Sequence, residues 1–266
     1  MIAAIITAAG RGTRLQSNIS KQFIQINGKP VLVHTLQSFQ DAFRINEVYL
    51  VVPGDYEEYC REEIVKKYRF TKVKEIIVGG QIRQDSVFNA LNAIPKRCKI
   101  VAVHDGVRPL ITADEINMLI ENLVRLNKQD PHLKGVLIAA PAYETIKKID
   151  EDHFIDSTIT RSQVCMAQTP QVFYFKDLVF AYKKAYLDNF FGNDDAGLME
   201  RAGFKVKVIL GRHENIKITT PLDLFLAELI MRRDGKGYNE KRNRGVIIKR
   251  DVKRVIMKRD LKGEIG

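Results

Sequence analysis

The chain opens with the stretch Ile2-Ala3-Ala4-Ile5-Ile6-Thr7-Ala8-Ala9-Gly10-Arg11-Gly12-Thr13-Arg14-Leu15. Its first five residues are apolar but too few to cross a membrane, which predicts a short strand buried on both faces of a sheet. The two glycines that follow permit the positive φ angles of a tight loop, and small residues let the backbone approach a ligand closely. Arg14, and Lys21 shortly after it, add two positive charges. A strand followed by backbone donors and cations favours a polyphosphate ligand.

This loop matches neither of the common nucleotide-binding patterns. The Gly-Lys-Ser/Thr ending of the usual phosphate loop is missing. Gly10 and Gly12 fit the dinucleotide fingerprint, but Leu15 stands where the third glycine belongs, and no acidic residue follows near Gly28 to hold a ribose hydroxyl. An NAD-dependent dehydrogenase is therefore only a distant alternative, and a glycine-rich turn with a solvated Arg14 also remains open.

The composition is that of a globular protein of the cytoplasm. The 266 residues are 45% hydrophobic and 28% charged, which suits a chain that buries a large core. No apolar run has the length of a membrane helix, and the N-terminus lacks the basic start of a signal peptide, so we expect a cytoplasmic location without membrane attachment. Cys60, Cys98 and Cys165 lie too far apart to suggest a disulfide framework or a metal cluster, and we expect ordinary thiols.

The positive charge is concentrated in the C-terminal tail. Of the net charge of +11, residues 231–266 hold thirteen Lys and Arg against five Asp and Glu, or +8, and residues 1–230 hold 30 against 27, or +3. We therefore do not expect nucleic acid as a partner, and a nucleic-acid-binding protein acting through the tail is a distant alternative.

The tail contains an internal repeat. Residues 246–253 recur nine positions later as residues 255–262, and a nine-residue shift turns a helix by about half a circle. The two apolar triplets would then face opposite sides of one helix, which argues against a membrane-surface helix. A paired-strand extension, a tail for an anionic partner and a solvated appendage all remain open, and we expect the last.

Strands and helices alternate along residues 1–230. Continuous apolar runs predict buried strands, and helical spacing of apolar residues predicts the helices between them. The predicted strands are residues 2–6, 48–53, 73–78, 100–103, 136–140 and 206–210, with a further apolar run at residues 172–175. The predicted helices are residues 30–39, 56–68, 86–94, 112–126, 178–185, 195–202 and 221–231, with Thr112 as an N-cap. This order predicts an α/β fold with a doubly wound, mostly parallel sheet.

Residues 141–160 interrupt that alternation. Two alternating segments, residues 143–150 and 154–160, flank the acidic turn Asp150-Glu151-Asp152, which is the pattern of an inserted β-hairpin. Such an arm packs on a partner subunit or forms an ordinary edge hairpin, and the pattern leaves both open.

Polar residues follow several predicted strands, at the edge where open parallel sheets bind their ligands. Asp105 comes just after the strand at residues 100–103, where a carboxylate can hold Mg²⁺ between phosphates. Arg108 can bind a phosphate through its guanidinium fork. The alternative is that Asp105 caps the next segment and pairs with Arg108.

Other polar residues lie near breaks in the apolar pattern. Ser86, after Gly79-Gly80, either reads a base edge or caps its helix. Thr145, Arg161 and Lys217 complete the polar set. We expect His104 to be structural, and no Ser or Cys has the surroundings of an activated nucleophile.

Seven blocks in order resemble one enzyme family, the 2-C-methyl-D-erythritol 4-phosphate cytidylyltransferases, together with their relatives, the ribitol 5-phosphate cytidylyltransferases. The resemblance runs from Ile2 to about Met231. The blocks are residues 8–14 (AAGRGTR), 21–23 (KQF), 79–87 (GGQIRQDSV), 104–109 (HDGVRP), 168–173 (QTPQVF), 194–196 (DDA) and 215–221 (NIKITTP).

The resemblance implies a Rossmann-like nucleotidyltransferase domain over residues 1–233, a homodimerisation arm at about residues 141–160, and a basic C-terminal extension over residues 234–266. It implies transfer of a cytidylyl group from CTP to a polyol phosphate, using Mg²⁺ or another divalent cation. The implied roles are catalysis by Arg14 and Lys21, and metal binding by Asp105. The nucleotide would be held by Ala8, Ala9, Gly10, Gly80, Gln81 and Ser86, and the acceptor by Arg108, Thr145, Arg161 and Lys217.

The acceptor follows from smaller differences between the two branches. Val107 and the Tyr143-Glu144 pair depart from the methylerythritol pattern, and Val107 also occurs on the ribitol side. Residues 191–196, Arg161-Ser162 and the Gln168-Thr169-Pro170 block resemble the methylerythritol branch more closely. We therefore expect 2-C-methyl-D-erythritol 4-phosphate as the acceptor, with D-ribitol 5-phosphate as the alternative.

Overall fold

The computed structural model describes residues 1–10 and 20–235. Arg14 and the repeat-containing tail therefore lie outside the described residues. The strands of the described part are β1 (Ile2–Thr7), β2 (Gln25–Ile26), β3 (Lys29–Pro30), β4 (Glu47–Val52), β5 (Val73–Val78), β6 (Ile100–Asp105), β7 (Leu133–Pro141), β8 (Ile146–Ile149), β9 (Ile155–Ile159), β10 (Cys165–Tyr174) and β11 (Lys205–Leu210).

A seven-stranded sheet in the order β11-β7-β10-β6-β1-β4-β5 forms the centre of the fold. The pairs β1/β4, β1/β6, β4/β5 and β11/β7 are parallel. Strand β10 runs antiparallel to both of its neighbours, β6 and β7. The prediction of a doubly wound, mostly parallel sheet is confirmed, and the apolar run at residues 172–175 belongs mainly to the antiparallel strand.

Helices cover both faces of this sheet. They are α1 (Val31–Asp41), α2 (Glu57–Tyr59), α3 (Arg83–Ala93), α4 (Ala113–Gln129), α5 (Phe175–Leu187), α6 (Asp195–Arg201) and α7 (Pro221–Gly235). The N-cap prediction for α4 is confirmed. The Thr112 side chain accepts a hydrogen bond from the Glu115 N–H, and the Glu115 carboxylate accepts one from the Thr112 N–H.

Strand β1 divides its side chains between two cores. Ala4 and Ile6 join the core that includes residues of α1 and α4. Ala3 and Ile5 join the core that includes residues of α3 and α5. Because both faces of the strand are covered, every position from Ala3 to Ile6 is apolar and buried.

The segment predicted as one helix at residues 56–68 is helical but changes its winding. A 3₁₀ turn at Gly54–Tyr56 leads into α2, and a π-helix follows at Cys60–Lys66. Cys60 and Ile64, four residues apart, are buried, and Glu62 and Lys66 pair on an exposed part of the same segment. Apolar spacing predicts which face is buried and does not distinguish these windings.

Two small hairpins lie outside the central sheet. Strands β2 and β3 pair antiparallel around Asn27 and Gly28, whose φ angles are +48° and +76°, as a two-residue Asn-Gly turn requires. Strands β8 and β9 form the predicted hairpin of residues 141–160. We call this hairpin, together with Arg161 that directly follows it, the arm. The first of two compact units spans Met1–Glu228, and the described residues of the second, 229–235, are the end of α7. No helix in the described part of the chain is long and apolar enough to cross a membrane.

Candidate active site

The carboxyl ends of β1 and β6 lie side by side and form the floor of a cavity. Thr7 and Asp105, the last residues of these parallel strands, are paired in register. The cavity above them has a volume of about 110 Å³. It is lined by Thr7, Ala8, Ala9, Gly10, Lys21, Gln22, Arg83, Ser86, Asp105, Val107 and Lys217. The expectation that ligands bind at this edge thus leads to a concave site that combines small residues with charged side chains.

The loop after β1 is held by neighbouring backbone. The Ala8 N–H donates to the Val51 carbonyl oxygen at 2.7 Å, and the Gly106 N–H donates to the Thr7 carbonyl oxygen at 2.8 Å. A Cβ atom on Gly79 would lie 2.4 Å from the Cβ of Ala9, so only glycine allows the two loops to approach this closely. The predicted nucleotide-binding residues Ala8, Ala9 and Gly10 are thereby fixed along one wall of the cavity.

Lys21 is brought to the cavity by the short 3₁₀ helix Lys21–Phe23. Its neighbour Gln22 is buried and donates through Nε2 to the Ala8 carbonyl oxygen at 2.7 Å. On the other side the Phe23 ring stacks on Tyr56, with centroids 4.7 Å apart. These two contacts position the predicted catalytic lysine next to the loop after β1.

Asp105 lies among three cationic side chains. Its Oδ2 atom is 2.9 Å from Lys217 Nζ and 3.6 Å from Arg108 Nε, and its Oδ1 atom is 3.4 Å from Arg83 Nε. Burial alone would raise the pKa of this carboxyl, but the charges of Arg83, Lys217 and Arg108 outweigh it and hold the pKa well below the usual range. Asp105 is therefore ionised at neutral pH, and the surplus of positive charge around it attracts anions.

Arg108 points inward rather than into the cavity. Its Nη1 atom donates to the Asn215 carbonyl oxygen at 2.8 Å, and its buried Nε atom has no hydrogen-bond partner. The pairing of Arg108 with Asp105, the alternative drawn from the sequence, is present at 3.6 Å. Arg108 thus neighbours the site through Asp105 but does not line the cavity.

His104 is a structural residue that fixes the backbone around Asp105. The Asp105 N–H donates to Thr169 Oγ1 at 3.1 Å, and the same hydroxyl lies 3.0 Å from His104 Nδ1. His104 Nε2 lies 3.1 Å from the Arg108 carbonyl oxygen, which only accepts, so Nε2 carries the proton. Burial lowers the pKa of His104 to about 4, and the ring is neutral at pH 7.

The turn after β5 supplies the predicted nucleotide contacts Gly80, Gln81 and Ser86. Ser86 lines the cavity, where its Oγ accepts from the Gly80 N–H at 3.1 Å and donates to the Ile82 carbonyl oxygen at 3.1 Å. This hydroxyl bonds within the first turn of α3, but Ser86 is not its N-cap, which is Ile82, so the capping alternative is wrong. Gly80 and Gln81 are exposed at the rim and do not line the cavity.

Thr145 and Arg161 lie on the arm, away from the cavity. Both are exposed, and Arg161 Nη1 donates to the Tyr143 carbonyl oxygen at 2.9 Å. The structure of one chain therefore brings Lys21, Ser86, Asp105 and Lys217 together with the loop after β1, and does not bring Thr145 and Arg161 to them.

Four cavity residues had no predicted role: Thr7, Gln22, Arg83 and Val107. Thr7 ends the first strand and Val107 stands two residues after Asp105, so the strand-end rule extended by one residue at β1 and by two at β6 would have included both. Gln22 and Arg83 stand inside quoted blocks of the resemblance. Their contacts join segments distant in sequence, which no local pattern reveals.

The described residues suit a metal ion that is held mainly by phosphates. Across residues 1–10 and 20–235 no three His, Cys, Asp or Glu side chains are grouped to hold a metal ion. A single ionised carboxylate at the base of the cavity fits Mg²⁺, which is commonly bound by one or two carboxylates and by phosphate oxygens. Cys60 and Cys98 are buried, and burial raises their pKa values to about 12 and about 11, so neither suits nucleophilic catalysis.

Known proteins resemble this chain over nearly its whole described length. A family model described as IspD, 2-C-methyl-D-erythritol 4-phosphate cytidylyltransferase, matches residues 2–233. A protein of that name from Syntrophus aciditrophicus is 43% identical over 234 residues, covering 88% of this chain and 97% of that protein. Another, from Caldanaerobacter subterraneus subsp. tengcongensis, is 41% identical over 232 residues, covering 87% and 99%.

A solved structure agrees with the sequence comparisons. The crystal structure of 4-diphosphocytidyl-2C-methyl-D-erythritol synthase from Anaerococcus prevotii superposes with a TM-score of 0.75 at 34% identity, covering 87% of this chain and 96% of that one. The resemblance drawn from the seven sequence blocks is confirmed. With its α/β nucleotidyltransferase fold, this chain belongs to the family of 2-C-methyl-D-erythritol 4-phosphate cytidylyltransferases and is an enzyme of the nucleotidyltransferase class.

Proposed function

We propose that this chain transfers the cytidylyl group of CTP to 2-C-methyl-D-erythritol 4-phosphate and releases pyrophosphate, as a step in making isoprenoid precursors. The observation that carries this proposal is the family match over residues 2–233. The cavity agrees with it, because loop backbone, Lys21, Lys217 and an ionised Asp105 surround one polar space. D-ribitol 5-phosphate is not favoured as the acceptor, since the relatives carry the methylerythritol name.

In this reaction an oxygen of the acceptor phosphate attacks the α-phosphorus of CTP. A bond forms between that oxygen and the phosphorus, and the bond from the α-phosphorus to the bridging oxygen breaks, so that pyrophosphate leaves with the electron pair. A phosphate is largely ionised at pH 7, so the step needs no protein base. The neutral, buried His104 and the high-pKa thiols are consistent with this mechanism.

Catalysis then rests on positioning and on the stabilisation of negative charge. Lys21, held by the Gln22 and Phe23 contacts, would bind the α-phosphate where charge develops, and we assign Arg14 to the same task. Lys217 lines the same cavity and would pair with phosphate oxygens of either substrate. The backbone of Ala8, Ala9 and Gly10, with Gly80, Gln81 and Ser86, would hold the nucleotide.

Asp105 would hold the divalent cation, which we propose to be Mg²⁺. Bound there, the ion would neutralise charge on the CTP phosphates. Lys217 Nζ lies 2.9 Å from one carboxylate oxygen of Asp105, so the cation and the lysine compete for it. The protein's own contribution is to keep the carboxylate ionised and to fix its backbone through Thr169.

The arm supports a homodimer. Its apolar side chains are exposed, including Phe154 at 72% and Ile155 at 64%, and exposed apolar clusters of this kind commonly mark interfaces. Thr145 and Arg161 lie on the same arm, so we propose that they serve the acceptor site of the partner subunit. We propose that Arg108 also contributes to acceptor binding. We also propose a cytoplasmic location, where the free thiols of Cys60, Cys98 and Cys165 would stay reduced.

The reaction is tested by pyrophosphate release from CTP and Mg²⁺ by the purified full-length chain. 2-C-methyl-D-erythritol 4-phosphate and D-ribitol 5-phosphate are offered in parallel, with ³¹P NMR to identify the product. We expect release with the first acceptor alone. Release with only the ribitol substrate would reassign the acceptor, and folded protein that is inactive with both would overturn the proposed reaction.

Two inactive variants, Lys21→Ala and Arg161→Ala, test whether each arm serves the active site of the partner subunit. The two proteins are mixed under conditions that exchange subunits. If each arm serves the partner, a mixed dimer has one site with both residues intact, and activity returns. If each arm serves its own subunit, every site keeps one defect and no activity returns. The second result would overturn the proposed arrangement.

A further inference from the structure

Asp195 is a buried acid that the proposed reaction does not use. It is the first residue of α6, and its exposed fraction is 0%. Its Oδ2 atom accepts from Arg83 Nη2 at 2.7 Å, and its Oδ1 atom accepts from the hydroxyl of the buried Tyr182. A buried charge is costly to fold unless it is paired. The question is therefore what this pairing does for the neighbouring cavity.

Arg83 connects Asp195 to the site. The guanidinium lies between two carboxylates: Nη2 is 2.7 Å from Asp195, while Nε is 3.4 Å from Asp105 Oδ1. The shorter and more direct of the two ion pairs is the one with Asp195. Burial alone would lower the pKa of Arg83, but the two carboxylates raise it above its ordinary value, so this cation stays charged. Asp195 therefore holds the Nη2 end of the guanidinium, and Asp105 receives only the longer contact from Nε.

The position of Arg83 affects what Asp105 can bind. Asp105 Oδ2 already faces Lys217 at 2.9 Å and Arg108 at 3.6 Å. Among the described residues its Oδ1 atom has only long contacts, to Thr7 Oγ1 and to Arg83 Nε, each at 3.4 Å. A guanidinium forms two parallel hydrogen bonds with a carboxylate when the two groups meet without restraint. If Asp195 lost its charge, Arg83 would keep Asp105 as its remaining carboxylate in the described contacts and would move toward it. Both carboxylate oxygens would then be in close ion pairs, and a divalent metal would have to displace a cation from each of them.

We propose that Asp195 is a positioning residue that restrains Arg83 and thereby keeps Asp105 Oδ1 out of a close ion pair, so that the divalent cation has only long contacts to displace at that oxygen. This inference rests on the proposed function, since it concerns the metal carboxylate of that site. The buried Tyr182 hydroxyl takes part by fixing the orientation of the Asp195 carboxylate, so that Oδ2 faces Arg83.

The test measures binding of CTP by calorimetry at a series of Mg²⁺ concentrations, with the full-length chain and no acceptor. Asp195→Asn keeps the size of the side chain and removes its charge. We expect the Mg²⁺ concentration for half-maximal CTP binding to rise about tenfold, the lower end of what substitutions in the outer shell of metal sites cause. Tyr182→Phe should produce a smaller increase in the same direction.

A double-mutant cycle separates this role from a general effect on folding. In an Arg83→Gln background, Asp195→Asn should change the Mg²⁺ requirement less than about twofold, because the residue through which it acts is gone. The matched control is Asp194→Asn at the preceding position. Asp194 bonds Gly197 N–H and Gln171 Nε2, so the control perturbs the start of α6 without touching Arg83, and we expect the Mg²⁺ requirement of wild type.

The outcomes are distinct. Wild-type protein that fails to bind CTP with Mg²⁺ would overturn the proposed function itself. If wild type binds, then an unchanged Mg²⁺ requirement in folded Asp195→Asn, or an equal increase with and without Arg83, overturns the role of Asp195. Should Asp195→Asn not fold, Tyr182→Phe decides by the same measurement, and an unchanged requirement there overturns the inference.

Discussion

The floor of the cavity and the arm both contain predicted site residues, but the two regions differ in how far the chain encloses those residues. On the floor, Thr7 and Asp105 end two parallel strands paired in register, and their surroundings are buried and bonded on several sides. On the arm, Thr145 and Arg161 are exposed beside side chains such as Phe154 and Ile155, which are also exposed. The floor residues are thus held by contacts within the described part of one chain, whereas the arm leaves apolar side chains exposed. If the proposed dimer forms, the arm would be the part of the site that depends on the partner.

The largest effect should come from a substitution in the cavity. Lys21→Ala removes a cation that we place at the α-phosphate, and we expect kcat to fall about a hundred- to a thousandfold, as when one stabilising contact to a developing charge is lost. The unfolding temperature should stay close to wild type, because Gln22 and Phe23 hold the segment. Lys29→Ala, an exposed lysine in the nearby hairpin, is the matched control. Equal loss of stability and activity would contradict the assigned role.

A second contrast concerns stability. Ile5→Ala in the buried strand β1 should lower the free energy of unfolding by about 2–5 kcal/mol, since it leaves a cavity in the core. Ile155→Ala on the arm should change it by less than about 0.5 kcal/mol when the protein is dilute enough to be monomeric. Urea unfolding of both variants measures this difference. A large cost for Ile155→Ala at high dilution would mean that the arm is buried within its own chain.

Polar substitutions on the arm should weaken formation of the dimer. The double variant Phe154→Ser/Ile155→Ser should shift the protein from dimer to monomer in light scattering. Activity should fall about tenfold or more, because the shell of residues that orients substrate is lost. The control Leu187→Ser changes an apolar residue that is 84% exposed at the end of α5, and it should leave the dimer intact. A fully active monomer would refute the proposed role of the arm.

The smallest effect should come from the tip of the arm. His153 has a φ angle of +67°, a conformation that costs a residue with a Cβ about 1 kcal/mol. His153→Gly relieves that strain but raises the conformational entropy of the unfolded chain. We therefore expect the free energy of unfolding to rise by at most about 0.5 kcal/mol. Slower hydrogen exchange of the backbone amides of the arm would show this stabilisation. Faster exchange would show that His153 makes a contact that outweighs the strain.

Much of the floor could be predicted from the sequence because its signals are local. Buried strands such as β1 and β6 are continuous apolar runs, and the strand-end rule then selects Asp105 and the loop after Thr7. The arm was also predictable, because its two alternating segments flank an acidic turn. The family was identified from seven short blocks, whose order carries information that no single block contains.

What escaped prediction depends on contacts between distant segments. Arg108 turns inward because the Asn215 carbonyl oxygen, 107 residues away, accepts its hydrogen bond. Gln22 acquires its role from the Ala8 carbonyl oxygen, and Arg83 from Asp195 on α6. These partners are set by tertiary packing, and residue type or spacing does not show them. The winding of residues 54–66 is likewise a detail of backbone geometry that apolar spacing does not encode.

The hydrogen bond from Gln22 to the Ala8 carbonyl oxygen has a consequence for how the family's enzymes can vary. It ties the short helix that begins at Lys21 to the backbone directly after β1, so Lys21 is held by residues of the framework on both sides of residues 11–19 in the sequence. Insertions, deletions or exchanges between Gly10 and Ser20 should then leave the position of Lys21 unchanged. That single amide side chain would let the sequence around Arg14 vary in length and composition while Lys21 stays in its place beside the cavity.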